Sequence, residues 1–470
     1  MANRSVVKVF EELGLVSLWN STIDTKLLCI QRFVRLFAYG GTNLILVQYL
    51  ILLGIPKAKI GLFMTLTLVG DTVISFILTI FADGLGRKFI LSLGAALMIG
   101  SGVVFALSGN YWVLLVAAIV GVISPSGNEI GPFRAIEEST LAHLIPAANR
   151  GDVYAWYSLS GSLGTAVGFI TSGWLLQYMK DQLDWDDLRA YRAVFWAYAV
   201  VGAVKLVLAL ALSQAVELEA KQLAPVEASE TTALLGNGAE EVGPKKSTIR
   251  SILPNISKES VVILINLCFL FGLDSFASGL APLSWLTFFF HDKFNLEVGK
   301  LGSLFFTTSI ITAISMILAS SIAKRLGNIK TMVFTHLPSA VLLALIPVPS
   351  SLPIAMLFLI LRSSTQQMDV APRAAFLAAV VLPHERTAVM GIINVVKTFA
   401  QSLAPFITGI LAGHQLLWVA FIAAGSLKVT YDLGVLVVFV NHKTHDDRAE
   451  EQRQAEEEET LRGSEDEDEQ

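Results

Sequence analysis

Two short segments of the chain, about 240 residues apart, end an apolar stretch in the same way. The first carries Glu129, Pro132 and Arg134; the second carries Asp369, Pro372 and Arg373. Each sets an acid, small or branched residues, a proline and an arginine where a bilayer-spanning helix should stay apolar. A charge at the centre of a spanning helix costs at least ~2.5–3.5 kcal/mol on insertion scales. Charges kept at that cost, twice and in the same pattern, suit a gate: Glu129 and Arg134 exchanging partners with Asp369 and Arg373 as a path for a polar solute opens and shuts. Static ion pairing within the bundle, or snorkelling of the arginines, is the plainer reading.

Other charges lie elsewhere in apolar surroundings. Arg32, Arg35, Tyr39 and Asn43 recur at three- and four-residue steps and form one polar helical stripe. Facing a cavity, that stripe would favour an anionic or hydrogen-bonding solute. Arg362 falls near the middle of its apolar segment and is the strongest single cation for substrate contact or gating. Asp71 and Asp274 are the candidates for carrying a proton, because a buried carboxyl can load and release one during transport. A hydrogen-bonded structural aspartate is the alternative for each.

The elements that must position these residues are helices in a membrane. Hydrophobic residues make up 54 % of the 470, charged residues only 16 %, against roughly 25 % charged in soluble domains. Mean hydropathy is +0.62. Apolar runs near the ~20 residues that cross a bilayer fall at 28–53, 60–82, 89–108, 111–131, 153–178, 192–213, 261–285, 301–323, 331–347, 353–377, 388–412 and 416–440. The reading is an all-α membrane protein of twelve spans: a short N-terminal segment (1–27), a six-helix bundle (28–213), a flexible polar linker (214–260), a second six-helix bundle (261–440) and an acidic tail (441–470). Pro125, Gly127, Gly131 and Pro132 predict a break around Glu129. The tail holds 13 acids and 4 bases, so the rest of the chain has a net charge of +4; such a tail is expected to stay solvated. Nineteen lysines and arginines fall on one side of the expected spans and seven on the other. The positive-inside rule then sets both termini and the linker in the cytoplasm. No cleavable leader is expected. Two cysteines, Cys29 and Cys268, provide neither a disulfide framework nor a metal site. No cofactor, metal or nucleic-acid partner is expected.

The chain also repeats itself. Shifted by 241 residues, the segment from Ile60 to Gly86 overlies that from Leu301 to Gly327, and Phe-Ile-Thr at 169–171 recurs at 406–408. Parallel six-helix repeats are a transporter architecture, with the substrate site near the midplane between them. In the turn after the second span the chain reads Asp83, Gly86, Arg87 and Lys88, and Pro146 to Gly151 follow the fourth. On these residues the sequence resembles the major facilitator superfamily from about 28 to 440, with Thr79 replacing an upstream glycine of the signature.

That resemblance implies a twelve-helix fold whose first, fourth, seventh and tenth helices line a central cavity. Eight of the thirteen ionisable residues in or beside the spans belong to those four. It also implies that the Asp83–Lys88 turn acts as a latch between conformations. Physical chemistry supports this independently: Gly86 permits a tight reversal and Arg87 can fork onto a carboxylate. The second half has Lys324 and Asn328 at the corresponding positions, so the latch is expected in the first half only. The paired-glycine signature of antiporters is absent from the fifth span; close helix packing accounts for Gly161, Gly164, Gly168 and Gly173.

Glu230, Leu234 and Leu235 in the linker resemble an acidic dileucine sorting signal, which would direct the protein to a vacuolar or endosomal membrane rather than the plasma membrane. The expected function is secondary transport of a small organic solute, coupled to protons, by a monomer in the lipid bilayer. Efflux of a drug-like compound or secondary metabolite leads, and import of an organic anion guided by Arg35 and Arg362 is the runner-up. A non-transporting receptor or scaffold is the reading from another class. No nucleophile elbow or phosphate loop points to an enzyme.

Overall fold

The computed structural model describes residues 14–121, 123, 132–146, 149–217, 258–382 and 385–439. Glu129, Glu230, Leu234, Leu235 and the acidic tail lie outside them. The described residues form helices and short connections, with no strand among them. Helix α1 spans Ile23–Leu52, α2 Lys57–Leu85, α3 Arg87–Leu107, α5 Arg150–Leu183 and α6 Asp187–Leu210. In the second half are α8 (Val298–Leu326), α9 (Asn328–Leu345), α11 (Arg386–Gly413) and α12 (Leu417–Phe439). The fourth, seventh and tenth spans are each two helices: α4a (Tyr111–Val120) and α4b (Pro132–Leu144), α7a (Lys258–Leu280) and α7b (Leu283–Phe294), α10a (Leu352–Ser363) and α10b (Val370–Val380). Among the described residues ten helical segments are long and apolar enough to cross a membrane; α4a and α10a are apolar but shorter.

Four boundaries stand out against the sequence reading. The fourth span does not end at residue 131, since α4b carries it on to Leu144. Its charges, Arg134, Glu137 and Glu138, disguise it as a loop; Arg134 and Glu138 pair along the helix, and the partners of Glu137 come from elsewhere in the fold. The tenth span is not one helix over 353–377 but breaks after Ser363, where carbonyls turn back in tight i−3 and i−4 bonds as far as Asp369. The linker begins later than 214, because Gln214–Glu217 form a 3₁₀ turn against the first half. Helix α1 begins five residues before its expected start, with Thr22 as N-cap (its Oγ1 accepts from Thr25 N at 3.3 Å) and Asp24 in the first turn, where an acid complements the dipole.

Each half packs its own helices in pairs, and the two halves meet along α2 with α11 and α5 with α8. Small residues let backbones touch. Gly164 and Gly168 of α5 lie against the carbonyls of Phe33 and Phe37 on α1, where a Cβ would collide. Between the halves, a Cβ on Gly61 would stand 2.5 Å from the Pro405 carbonyl oxygen, and one on Gly173 would stand 2.8 Å from that of Val298. In hydrocarbon there is no hydrophobic gain from pressing two apolar helices together, so such close van der Waals fits carry the association. Both fits lie at the end of the bundle opposite the one that holds the start of α1 and the end of α6. There Ser213 N and Oγ donate to the Asp24 carboxylate at 2.8 and 2.6 Å.

Candidate transport cavity and its ion clusters

Between the halves lies a cavity of about 370 Å³, lined by α1, α5 and α6 on one side and by α7b, α8 and α10a on the other. Its far end is shut. The Ser284 hydroxyl of α7b donates to Asn43 Oδ1 of α1 at 2.8 Å, and Thr287 donates to the Asn43 carbonyl at 3.1 Å. The Trp174 indole N–H donates to Ser303 Oγ at 2.9 Å, and Phe406 N donates to Thr65 Oγ1 at 3.1 Å. Asn43 and Ser284 are themselves 241 residues apart, so the repeat meets itself at the seal. At the other end, which holds the start of α1 and the end of α6, the pairs Arg35–Glu137, Arg134–Glu138, Lys205–Glu137, Arg373–Asp274 and Lys428–Asp274 each lie within one half.

The stripe read on α1 therefore divides. Arg32, Arg35 and Tyr39 line the cavity, while Asn43 belongs to the seal. Arg32 lies over the ring of Tyr157 with its guanidinium carbon 4.1 Å from the centroid. Arg35 pairs with the carboxylate of Glu137 on α4b at 2.7 Å. Glu137 is fully buried; Tyr157 donates to it at 2.5 Å and the Lys205 ammonium of α6 stands 3.7 Å away. The sequence reading missed Glu137 because it ended the span before it. Three cations on α1 and α6 without a neighbouring acid were the signal that one was needed.

In the second half Asp274 of α7a holds a comparable centre. The Lys428 ammonium of α12 donates to it at 2.5 Å and Arg373 of α10b at 3.1 Å, while His336 Nε2 on α9 lies 3.9 Å off. Arg373 also pairs with Asp369, one turn back on its own chain. His336 Nδ1 lies 2.9 Å from both oxygens of Asp432. His336 escaped the sequence reading, since a lone histidine in an apolar run is most often simply packed.

Of the four expected gate residues, Glu129 lies outside the described residues, and the other three have these neighbours. Arg134 pairs with Glu138 at 2.7 Å on its own helix and also lines the cavity, whereas Asp369 and Arg373 join Asp274. Of the two proton candidates, Asp274 is surrounded by cations. Asp71 on α2 is buried, and neither carboxylate oxygen has a hydrogen-bond partner among the described residues. Arg362 lies in the last turn of α10a and lines the cavity at the height of the break.

At the latch, Gly86 adopts φ 89°, ψ 138°, a conformation open to glycine alone, and caps the N-terminus of α3. Glu217, which the sequence reading had placed in the flexible linker, accepts from Lys88 N at 3.2 Å, and the Lys88 ammonium reaches the Leu212 carbonyl at 2.6 Å. A carboxylate at the first turn of a helix is favoured by the exposed N–H groups there. Asp83 lies in the last turn of α2 and Arg87 opens α3. The corresponding Gly327 has φ 81° and no atom within 4 Å of where a Cβ would stand.

A duplicated helical bundle with a cation-bearing cavity at the interface of its halves, shut at one end, is the anatomy of a membrane carrier. Comparison with known proteins places it more narrowly. The family model of the Major Facilitator Superfamily matches residues 28–365 and again 294–464. The uncharacterized membrane protein YJR124C of Saccharomyces cerevisiae is 40 % identical over 422 residues, 89 % of this chain and 94 % of that one. Among solved structures, the nucleoside transporter NupG (as a D323A mutant) superposes with a TM-score of 0.66 at 13 % identity, over 88 % of this chain and all of that one. The inward open xylose transporter XylE of E. coli gives 0.65 at 14 %, over 91 % and 99 %. The chain belongs to the Major Facilitator Superfamily, as a multi-pass membrane transporter and not an enzyme.

Proposed function

We propose that the protein is a proton-coupled secondary transporter that moves a small polar organic solute by alternating access, as a monomer, with both termini in the cytoplasm. The observation that carries this reading is the cavity between the halves, sealed at the end away from the termini by Asn43–Ser284, Trp174–Ser303 and Thr65–Phe406. With nineteen of twenty-six loop lysines and arginines on the terminal side, the cavity faces inward in this state. In the outward-facing state α4b and α10b close against each other, and Arg134 finds acids of the opposite half. The Asp83–Lys88 turn, tied to Glu217, resists that movement until α2 and α3 shift together.

Asp71 carries the proton. A buried carboxylate without a partner is costly, and binding a proton removes the charge. Arg35 is the cation that acts on it across the bundle, so loading Asp71 changes the balance around the Glu137 cluster and couples proton to cavity. The five cations of the lining favour a solute that carries polar or charged groups over a wholly apolar drug.

Vesicles reconstituted with the full chain, given a metabolite panel with and without an inward proton gradient, test the reading. Asp71→Asn should abolish gradient-driven accumulation and leave solute exchange within about twofold of wild type. Full accumulation in that variant would remove Asp71 from coupling.

A further inference from the structure

We infer that the cavity takes an organic oxyanion, a carboxylate or phosphate monoester, with its charged group on Arg362; this rests on the transport reading above. Five cations line the cavity, Arg32, Arg35, Arg134, Lys205 and Arg362, and no aspartate or glutamate is among its described lining. Four of the five already have work within the protein. Arg35 and Lys205 hold Glu137, Arg134 holds Glu138, and Arg32 covers the Tyr157 ring.

Arg362 differs. It is half-buried, faces the cavity, and its guanidinium makes no hydrogen bond or ion pair with a described residue. Its own backbone explains its position. The Arg362 carbonyl accepts from Thr365 N at 3.1 Å and Gln366 N at 3.0 Å, which ends α10a and turns the next residues along the cavity wall. The helix end offers a weak counter-charge but no acceptor for five guanidinium donors. A carboxylate or phosphate matches that planar fork with two parallel charge-assisted bonds. Gln366, whose amide donates to Thr312 Oγ1 at 3.3 Å, borders the same space. Phe169, Phe305 and Leu359 form apolar wall, so the solute has an organic body as well as a charge. The volume suits a small metabolite.

The test uses the purified full chain and matched probes: benzoate, phenyl phosphate, neutral benzamide, cationic benzylamine and inorganic phosphate. Benzoate or phenyl phosphate should raise the thermal unfolding midpoint, whereas benzamide, benzylamine and inorganic phosphate should not. Whichever of the two responds assigns the head group. Arg362→Gln should weaken that response roughly 10- to 100-fold, the worth of charge-assisted bonds to a fork, and Arg362→Lys should retain part of it. Without any probe, Arg362→Gln should itself melt higher than wild type, because it removes an unpartnered charge. Equal stabilisation by benzamide or benzylamine, no response to either organic oxyanion, or an unchanged response in Arg362→Gln overturns the proposal. A cysteine at Ser303, probed with an impermeant thiol reagent, separates this from the transport reading. If the seal opens and no oxyanion binds, the anion assignment alone fails. If the seal never opens under any proton gradient or probe, alternating access fails with it.

Discussion

The two buried charge clusters occupy matching places in the two halves with opposite polarity. In the first half the cation comes from the first helix and the acid from the fourth: Arg35 of α1 against Glu137 of α4b. In the second half the acid comes from the first helix and the cation from the fourth: Asp274 of α7a against Arg373 of α10b. Both then recruit a lysine from the last helix, Lys205 of α6 and Lys428 of α12. What duplication retained was the meeting point, not the residues that meet. Any opposite pair satisfies it, because the requirement in low dielectric is only that no charge be left alone.

The clusters differ in balance. Glu137 is one acid among Arg35, Lys205 and the nearby Arg32, whereas Asp274 and Asp369 face Arg373 and Lys428, with Asp432 on His336. The first half therefore leaves positive charge at the cavity wall and the second leaves almost none apart from Arg362. The asymmetry also implies unequal tolerance of damage, which mutation can expose.

The largest effect should come from Glu137→Gln, which removes the buried carboxylate that both Arg35 and Lys205 face and loses about 3–5 kcal/mol of stability. Thermal unfolding in detergent reads it, and a loss no greater than that of Asp274→Asn would break the comparison. Asp274→Asn should cost less, roughly 1–3 kcal/mol, since Arg373 keeps Asp369 and Lys428 keeps its 2.8 Å bond to Ser278 Oγ. The smallest difference should lie between the two glycine turns. Gly327→Ala meets backbone strain alone, about 1–3 kcal/mol. Gly86→Ala meets the same strain and a Glu217 oxygen 2.9 Å from the new Cβ. Turnover in vesicles should drop further for Gly86→Ala than for Gly327→Ala; equal losses would mean that the first turn is no more a latch than the second.

Much of this was legible in the residues themselves. Apolar runs of bilayer length, the 241-residue repeat and the Asp83–Lys88 turn are local patterns, and the hydrocarbon solvent leaves helices as the only way to satisfy every backbone group. Arg32, Arg35 and Arg362 could be assigned to a cavity because charge on an apolar segment must find water or a partner. Which of those two it finds is a property of the packed bundle. Glu137 looked like the start of a loop until α1, α5 and α6 surrounded it with partners. Asn43 looked like the next member of a binding stripe until α7b met it at the seal. Asp71 and Asp274 looked equivalent, and only the neighbouring helices made one a counter-ion and left the other without a hydrogen bond. Sequence determined where charge entered the membrane; tertiary structure decided what each charge faces, because a partner 102 or 154 residues away is brought within 2.7 Å only by the packing of whole helices.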